Sequence, residues 1–424
     1  MATARLTELA NVIAESTKII TQYLESKNLS APSFDVDGLT ELSISPADKE
    51  AYSARSKLVA ATKELHDLAV GPKESLRHLA WDSVNSLSLR AVYHFKIAES
   101  VPIEGDISYD ALSEKVNVDV TNLRRLVRHA ITNHIFREPQ PGYVAHTSSS
   151  RLVAEDGQLQ AWVGFFSEDL LLPIGNTVDA MDKWPGSQEP RQTGFQVANH
   201  TEDNFFEHFA KNPDRLKRYG TAMAANAASE GYHVKHVVEN YPWESLGEAT
   251  VVDLGGSQGH VSVAIAEKFP SLRFVVQELP SMRPPHVVGT LVTPELESRV
   301  ALTTHDFFTP QPVSADVYYF RWIFHNWSDA YAIKILQNLV PALKPGARVL
   351  LNDGVLPEPG TVGGMEEKSI RTMDLLQFVT VNGREREIAD WKSLFQKADQ
   401  RFEFVKAWKP EKSHMWLIEA VWAS

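Results

Sequence analysis

The chain has 424 residues, ordinary apolar content and a formal net charge of −12. That length calls for two or three lobes with ample cores, and the acidic balance argues against nucleic acid as the main partner, since phosphate binding needs a positive face. Cysteine is absent, so disulfides and thiolate metal sites are excluded; with no apolar run long enough for a bilayer and no signal-like N-terminus, a soluble cytoplasmic protein is the expectation.

Along the chain, Leu6, Leu9, Ile13, Ile19, Ile20 and Leu24 fall at helical spacing over about residues 4–27. Residues 30–48, rich in Ser, Pro, Asp and Gly, read as a linker. A second helical pattern covers about 48–69. The first helix, detached behind its linker, must bury its apolar stripe, and packing on a second subunit is the expectation. Residues 1–73 thus form N-terminal helices and linker. Residues 74–150 carry helical patterns near 74–100, 108–116 and 119–133, then extended pieces around Phe136 and Tyr143 flanking a Pro-Gln-Pro-Gly turn. Three helices and a hairpin make a winged-helix-like domain. Arg124, Arg125 and Arg128 on its third helix offer a DNA reading, which the acidic chain disfavours. Residues 151–240 form a helical connector rich in aromatics, of which Trp162 and Phe166 are candidates for the wall of a substrate pocket.

From about 241 onward strands and helices alternate, with strands expected at 251–254, 274–277, 299–303, 316–320 and 348–352. This pattern implies a doubly wound, Rossmann-type α/β sheet. Ligands bind such sheets at the carboxyl ends of the strands. That rule singles out Asp253, Glu278, Asp306, His325 and Asp353.

The stretch ATVVDLGGSQGHVSVAIAEKFPSLRFVVQELP (249–280) reads as strand, glycine turn, helix, strand and acid. Gly255, Gly256 and Gly259 let a ligand approach the backbone, and Glu278 is placed to take both hydroxyls of a ribose. The glycine spacing differs from G-x-G-x-x-G, and Asp253 would repel a pyrophosphate but suits the ammonium of a methionine moiety. These details favour S-adenosylmethionine over a dinucleotide.

In FRWIFHNWSD (320–329), His325 follows the fourth strand among Trp322, Phe324 and Trp327. A phenol, pKa about 10, is a poor nucleophile until a base removes its proton, and a neutral imidazole can do so. Asp353 and Glu385 are the candidate orienters of that ring, although Glu385 sits within a charged run, Arg384 to Glu387, that reads equally as a solvated face.

These motifs resemble the class I O-methyltransferases of the plant caffeic acid type, and more closely their fungal relatives of the sterigmatocystin and flavonoid type. VVDLGGSQGH, QELP, HDFF, FRWIFHNWSD, LNDGVLPEPG and NGRERE fall in the family's order. The resemblance implies S-adenosylmethionine, no metal ion and an obligate homodimer. It implies that Gly255 lies against the methionine portion, that Glu278 holds the ribose, and that Asp306 and Phe307 flank the adenine. Arg321 falls where the family usually has a Lys near the cofactor, and His325 falls on the general base, with Asp353 and Glu385 as acidic partners. Met223 resembles the methionine that packs on the substrate ring; Trp327 and Met373 complete the expected substrate contacts. The expected reaction is methylation of a hydroxyl on an aromatic, enol or polyketide-derived metabolite. The alternative is a relative resembling the leporin-type pericyclases, which use the bound sulfonium as a fixed charge, with His134 as the residue of interest.

Overall fold

The structure, a computed structural model, describes residues 2–45, 47–280 and 292–423. Pro46 of the expected linker therefore lies outside the described residues, as do residues 281–291 of the expected cofactor domain. The chain forms two compact units. One comprises the residues up to Leu171 together with Lys217–Ala225; the other comprises Leu172–Leu216 and the residues from Asn226 onward.

In the first unit, the amphipathic helix Ala2–Ser26 packs along the helix Lys49–Val70. Ile20 and Leu24 are buried in a cluster with Ile44, Ala51 and Ala54, and Arg5 donates to both carboxylate oxygens of Glu64, at 2.8 and 2.7 Å. Part of the apolar stripe is thus covered within the same chain. The linker is docked as well: the Phe34 ring stacks on that of His134 at 3.8 Å, and the Phe34 carbonyl accepts from the Ser148 N–H. The helical pattern of 74–100 is two helices, Pro72–His94 and Ile97–Ser100. They are separated at Lys96, which adopts a left-handed conformation (φ 52°).

The helices Tyr109–Val116 and Val120–Ile131 start at side-chain caps, Ser108 accepting from the Ala111 N–H and Asp119 from the Asn122 N–H. Strand β1 (Ile107–Ser108) pairs antiparallel with β2 (Tyr143–Val144). Val92, Ile97, Leu112, Leu123, Val127, Phe136 and Val144 fill the core between these elements. Two of the three arginines read above for DNA are engaged internally. Arg128 grips Glu138 through two bonds of 2.9 and 2.8 Å, and the guanidinium groups of Arg124 and Arg128 lie over the Tyr109 ring.

The second unit is built on a seven-stranded sheet: β3 (Ala249–Leu254), β4 (Leu272–Glu278), β5 (Val300–Thr304), β6 (Val317–Arg321), β7 (Arg348–Asp353), β8 (Phe402–Trp408) and β9 (Trp416–Trp422). Their order is β5-β4-β3-β6-β7-β9-β8. The first five are mutually parallel; β9 runs antiparallel to both β7 and β8. Alternate strand residues face opposite layers. Val252, Leu254, Tyr318, Phe320, Val349 and Leu351 pack with Ile335, Leu336, Trp391 and Phe395 on one side. Val251, Val317, Tyr319 and Leu350 pack with Val261, Ile265 and Trp243 on the other. Both faces of β3, β6 and β7 are covered, which is why these inner strands read as continuous apolar runs. Strand order reverses between β3 and β6, and the crevice at that switch point is where such sheets bind ligands.

Candidate active site

The turn after β3 is shaped by backbone that favours glycine. Gly255 and Gly259 have φ values of +72° and +83°, and a Cβ on Gly255 would overlap Ile323 and stand 3.8 Å from the Phe307 ring. The turn is fixed to β4 next door: Gly255 N–H donates to the Gln277 carbonyl at 2.8 Å. Ser257 N–H donates to the half-buried Glu278 carboxylate at 3.1 Å. Asp253 lies beneath the turn, accepting from the Ser262 hydroxyl at 2.6 Å, and a Cβ on Gly256 would stand 2.6 Å from its Cγ. Burial pushes the Asp253 carboxyl up to about 6, with Ser262 opposing and Glu278 adding. The turn thus presents bare backbone and one acceptor-only carboxylate at the carboxyl ends of β3 and β4, and the Phe307 ring stands by Gly255. Asp306 accepts from the Phe308 N–H at 2.9 Å, which orients Phe307 between them. Arg321, at the end of β6, donates to the Asn352 side chain and to the Tyr232 carbonyl, and its guanidinium lies 4.8 Å from the Trp322 ring centroid. This donor set suits a ligand with a diol, a flat ring and charged ends.

Beyond β6 the chain enters the short helical turn Phe324–Asn326. Trp322, at φ 54°, makes the bend, an unusual conformation for a bulky residue and one that clusters at functional sites. His325 Nδ1 lies 2.9 Å from Glu385 Oε1 and 3.8 Å from Asp353 Oδ1. His325 is 9% exposed, Glu385 4% and Asp353 1%, so the group is shielded from water and its electrostatics are strong. Asp353 Oδ2 accepts the Phe324 and His325 N–H groups, and Glu385 N–H donates to Asp374. Burial disfavours a charged ring, but the carboxylates of Asp353 and Glu385 outweigh it and hold the His325 pKa above its ordinary value. Burial likewise raises the Asp353 carboxyl, His325 opposing and Glu385 adding. A carboxylate only accepts hydrogen bonds, so the neutral ring carries its proton on Nδ1 toward Glu385. Nε2 then has its lone pair available. One ring nitrogen and two carboxylate oxygens within 4.8 Å of one another are also a donor set for a cation.

The structure brings His325, Asp353 and Glu385 together, as it does Gly255, Phe307 and the turn with Glu278. Trp327 and Met373 are partly buried in the same unit; Trp327 meets Phe308 edge-on at 4.6 Å. Trp162, Phe166 and Met223 belong to the first unit, where the Trp162 and Phe166 rings are 4.7 Å apart. The charged run around Glu385 is not a solvated face: Arg386 is fully buried and was not singled out from the sequence. The local signal for it is the turn Asn382-Gly383 and the helix Ile388–Ala398, which bracket the run.

Comparison with known proteins agrees with this geometry. The chain matches the O-methyltransferase domain family over residues 189–401. It is 40% identical to a chlorophenol O-methyltransferase of Trichoderma longibrachiatum, over 99% of this chain and 91% of that one. It is 38% identical to the grayanic acid biosynthesis cluster O-methyltransferase of Cladonia grayi, over 99% and 88%. Among solved structures, OxaC in complex with SAH and oxaline superposes with a TM-score of 0.71 at 23% identity, over 99% of this chain and all of that one, a likeness of fold. A likeness that runs nearly the full length, over a sheet whose switch point carries the glycine turn and the buried histidine, leaves one assignment: the chain belongs to the S-adenosylmethionine-dependent O-methyltransferases.

Proposed function

We propose that the protein methylates a hydroxyl of an aromatic or polyketide-type secondary metabolite, with His325 as general base and without a metal ion. The observation that carries this reading is the contact of His325 Nδ1 with Glu385 at 2.9 Å, which commits that nitrogen and leaves Nε2 to take a proton. In this reading Glu278 holds the ribose hydroxyls and Asp306 and Phe307 flank the adenine. Gly255, Gly256 and Gly259 admit the methionine portion, with Asp253 and Arg321 as its charged surroundings. S-adenosylmethionine, when bound, supplies an electrophilic methyl on a positively charged sulfur.

The chain's own residues do the rest. His325 Nε2 accepts the acceptor's hydroxyl proton as the oxygen attacks. Asp353 and Glu385 stabilise the imidazolium that forms, and Glu385 holds the ring's tautomer and orientation. Trp327 and Met373 are the proposed acceptor contacts within this unit.

Replacing His325 with Asn should lower turnover of a chlorophenol acceptor by about 10²–10⁴, the weight of general acid–base catalysis, while S-adenosylhomocysteine affinity stays near wild type. Turnover equal to wild type would refute the base. A product heavier by one methylene unit supports methyl transfer, whereas loss of water or an isomer would support the pericyclase reading. Full activity after treatment with EDTA is expected, and its loss, restored by a divalent cation, would make the His325 cluster a metal site.

We also propose a cytoplasmic homodimer. Among the described residues no helix is long and apolar enough to cross a membrane. On the helix Pro72–His94, Leu76, Leu79, Val84 and Leu87 are between 42% and 68% exposed, an apolar stripe that a second copy would cover.

A further inference from the structure

The turn that carries His325 is gripped by opposite charges. On its amide side stands the Asp353 carboxylate, at 3.0 and 3.3 Å from the Phe324 and His325 nitrogens. On its carbonyl side stands Arg386. Its Nη1 donates to the Phe324 carbonyl at 2.9 Å and its Nη2 to the Trp327 carbonyl at 2.8 Å. Its Nε donates to Asp329 Oδ1 at 2.9 Å, and its guanidinium lies 5.2 Å from the Trp391 ring centroid. An anion at the start and a cation at the end of a helical turn both complement its dipole.

Arg386 is an expensive way to hold a fold. It is 0% exposed and its carboxylate partner, Asp329, is about one-third exposed. A buried ion pair is weak evidence for stability, since apolar residues of similar volume often serve as well. What the guanidinium provides that an apolar side chain lacks is a rigid planar fork. Here the fork spans the two carbonyls that bracket His325 in the chain. Glu385, the next residue back, touches the ring itself, so one short segment fixes both the ring and its backbone.

We propose that Arg386 is a positioning residue for methyl transfer: by fixing the Phe324 and Trp327 carbonyls, it sets the direction in which His325 presents Nε2. This rests on the reading of His325 as the base. Lysine at 386 keeps the charge but loses the fork, and displacing a reacting group by about 1 Å can cost about 10²-fold. The groups facing His325 are Asp353, Glu385 and Arg386, and R386K leaves all three charges in place, so the acidic limb of the pH profile should stay where it is.

The test is a double-mutant cycle on the full-length protein, with a chlorophenol as acceptor and S-adenosylhomocysteine binding read by calorimetry. R386K should lower kcat by about 10–100-fold at the alkaline plateau, with S-adenosylhomocysteine Kd changed less than threefold. In an H325N background, R386K should change the residual kcat less than twofold, because the group it positions is gone. Multiplicative losses in the two backgrounds, a Kd that rises in step with the kcat loss, or a kcat within twofold of wild type would each overturn the proposal. D329N, which keeps the fork and loosens its anchor, guards against a misfolded R386K: it should lower kcat several-fold at constant Kd, and an unchanged kcat would count against Arg386. H325N alone reports on the base, so failure of that reading shows separately.

Discussion

Gly354 and Glu385 share one space: a Cβ on Gly354 would overlap Oε2 of Glu385 and stand 3.0 Å from its Cδ. Gly354 directly follows Asp353 and its N–H donates to that carboxylate, so the missing side chain is what lets both acids reach one imidazole. Gly354→Ala should displace the Glu385 carboxylate from His325 while leaving the sheet intact. The expected outcome is a kcat lowered by about tenfold or more, with a melting temperature near wild type. Wild-type kcat in steady-state assays would show that the contact is dispensable.

The raised pKa of His325 predicts a pH dependence. The base must be neutral, so the acidic limb of kcat/KM, which reports the free enzyme, should lie above the ordinary imidazole value of about 6.5. Glu385→Gln removes one of the two anions that raise it, and the limb should move to lower pH while the plateau falls. For stability, a folded pKa above the unfolded one means that the charged ring contributes most below the unfolded value. That contribution is lost as pH rises through the folded one. Rate profiles and thermal melts of wild type and Glu385→Gln between pH 5 and 9 check both directions.

Gly255→Ala should weaken cofactor binding more than it weakens the fold. The left-handed backbone at φ +72° costs an L-residue roughly 1–2 kcal/mol, and the methyl would press on Ile323, beside Phe307. We expect S-adenosylhomocysteine Kd to rise at least tenfold by calorimetry. An unchanged Kd would move the methionine portion away from this turn.

Leu76→Glu with Leu79→Glu should convert a dimer to a monomer in light scattering if the exposed stripe on Pro72–His94 is the subunit contact. A double variant that keeps the wild-type mass would place the interface elsewhere.

The sequence was most legible where the physics is local. β3, β6 and β7 were readable as apolar runs because both their faces are buried, the edge strand β5, where only Val300 is buried, by its place in the βα alternation, and His325 by its place just past the end of β6. β8 and β9 were not among the expected strands, although Phe402-Glu-Phe-Val-Lys-Ala-Trp alternates and Trp416–Trp422 is rich in β-formers; they pair antiparallel after the βα rhythm has ended. Arg386 was illegible for a different reason. Its partners at Phe324 and Trp327 lie 62 and 59 residues away in the chain, and a run of alternating charge looks the same whether solvent or a carbonyl meets it. The docking of Phe34 on His134 was hidden likewise, since nothing near Phe34 in the sequence encodes its partner 100 residues on.

The helix Pro213–Ala228 is assigned to the first unit over Lys217–Ala225 and to the second at both its ends. Within the first unit it is tied by Arg218, whose two bonds to Asp169 are each 2.8 Å. No single cut in the polypeptide therefore separates the units, and a chimera joining the front of this protein to the rear of a relative keeps the two bonds from Arg218 to Asp169 as they are here only if residues 217–225 travel with the front.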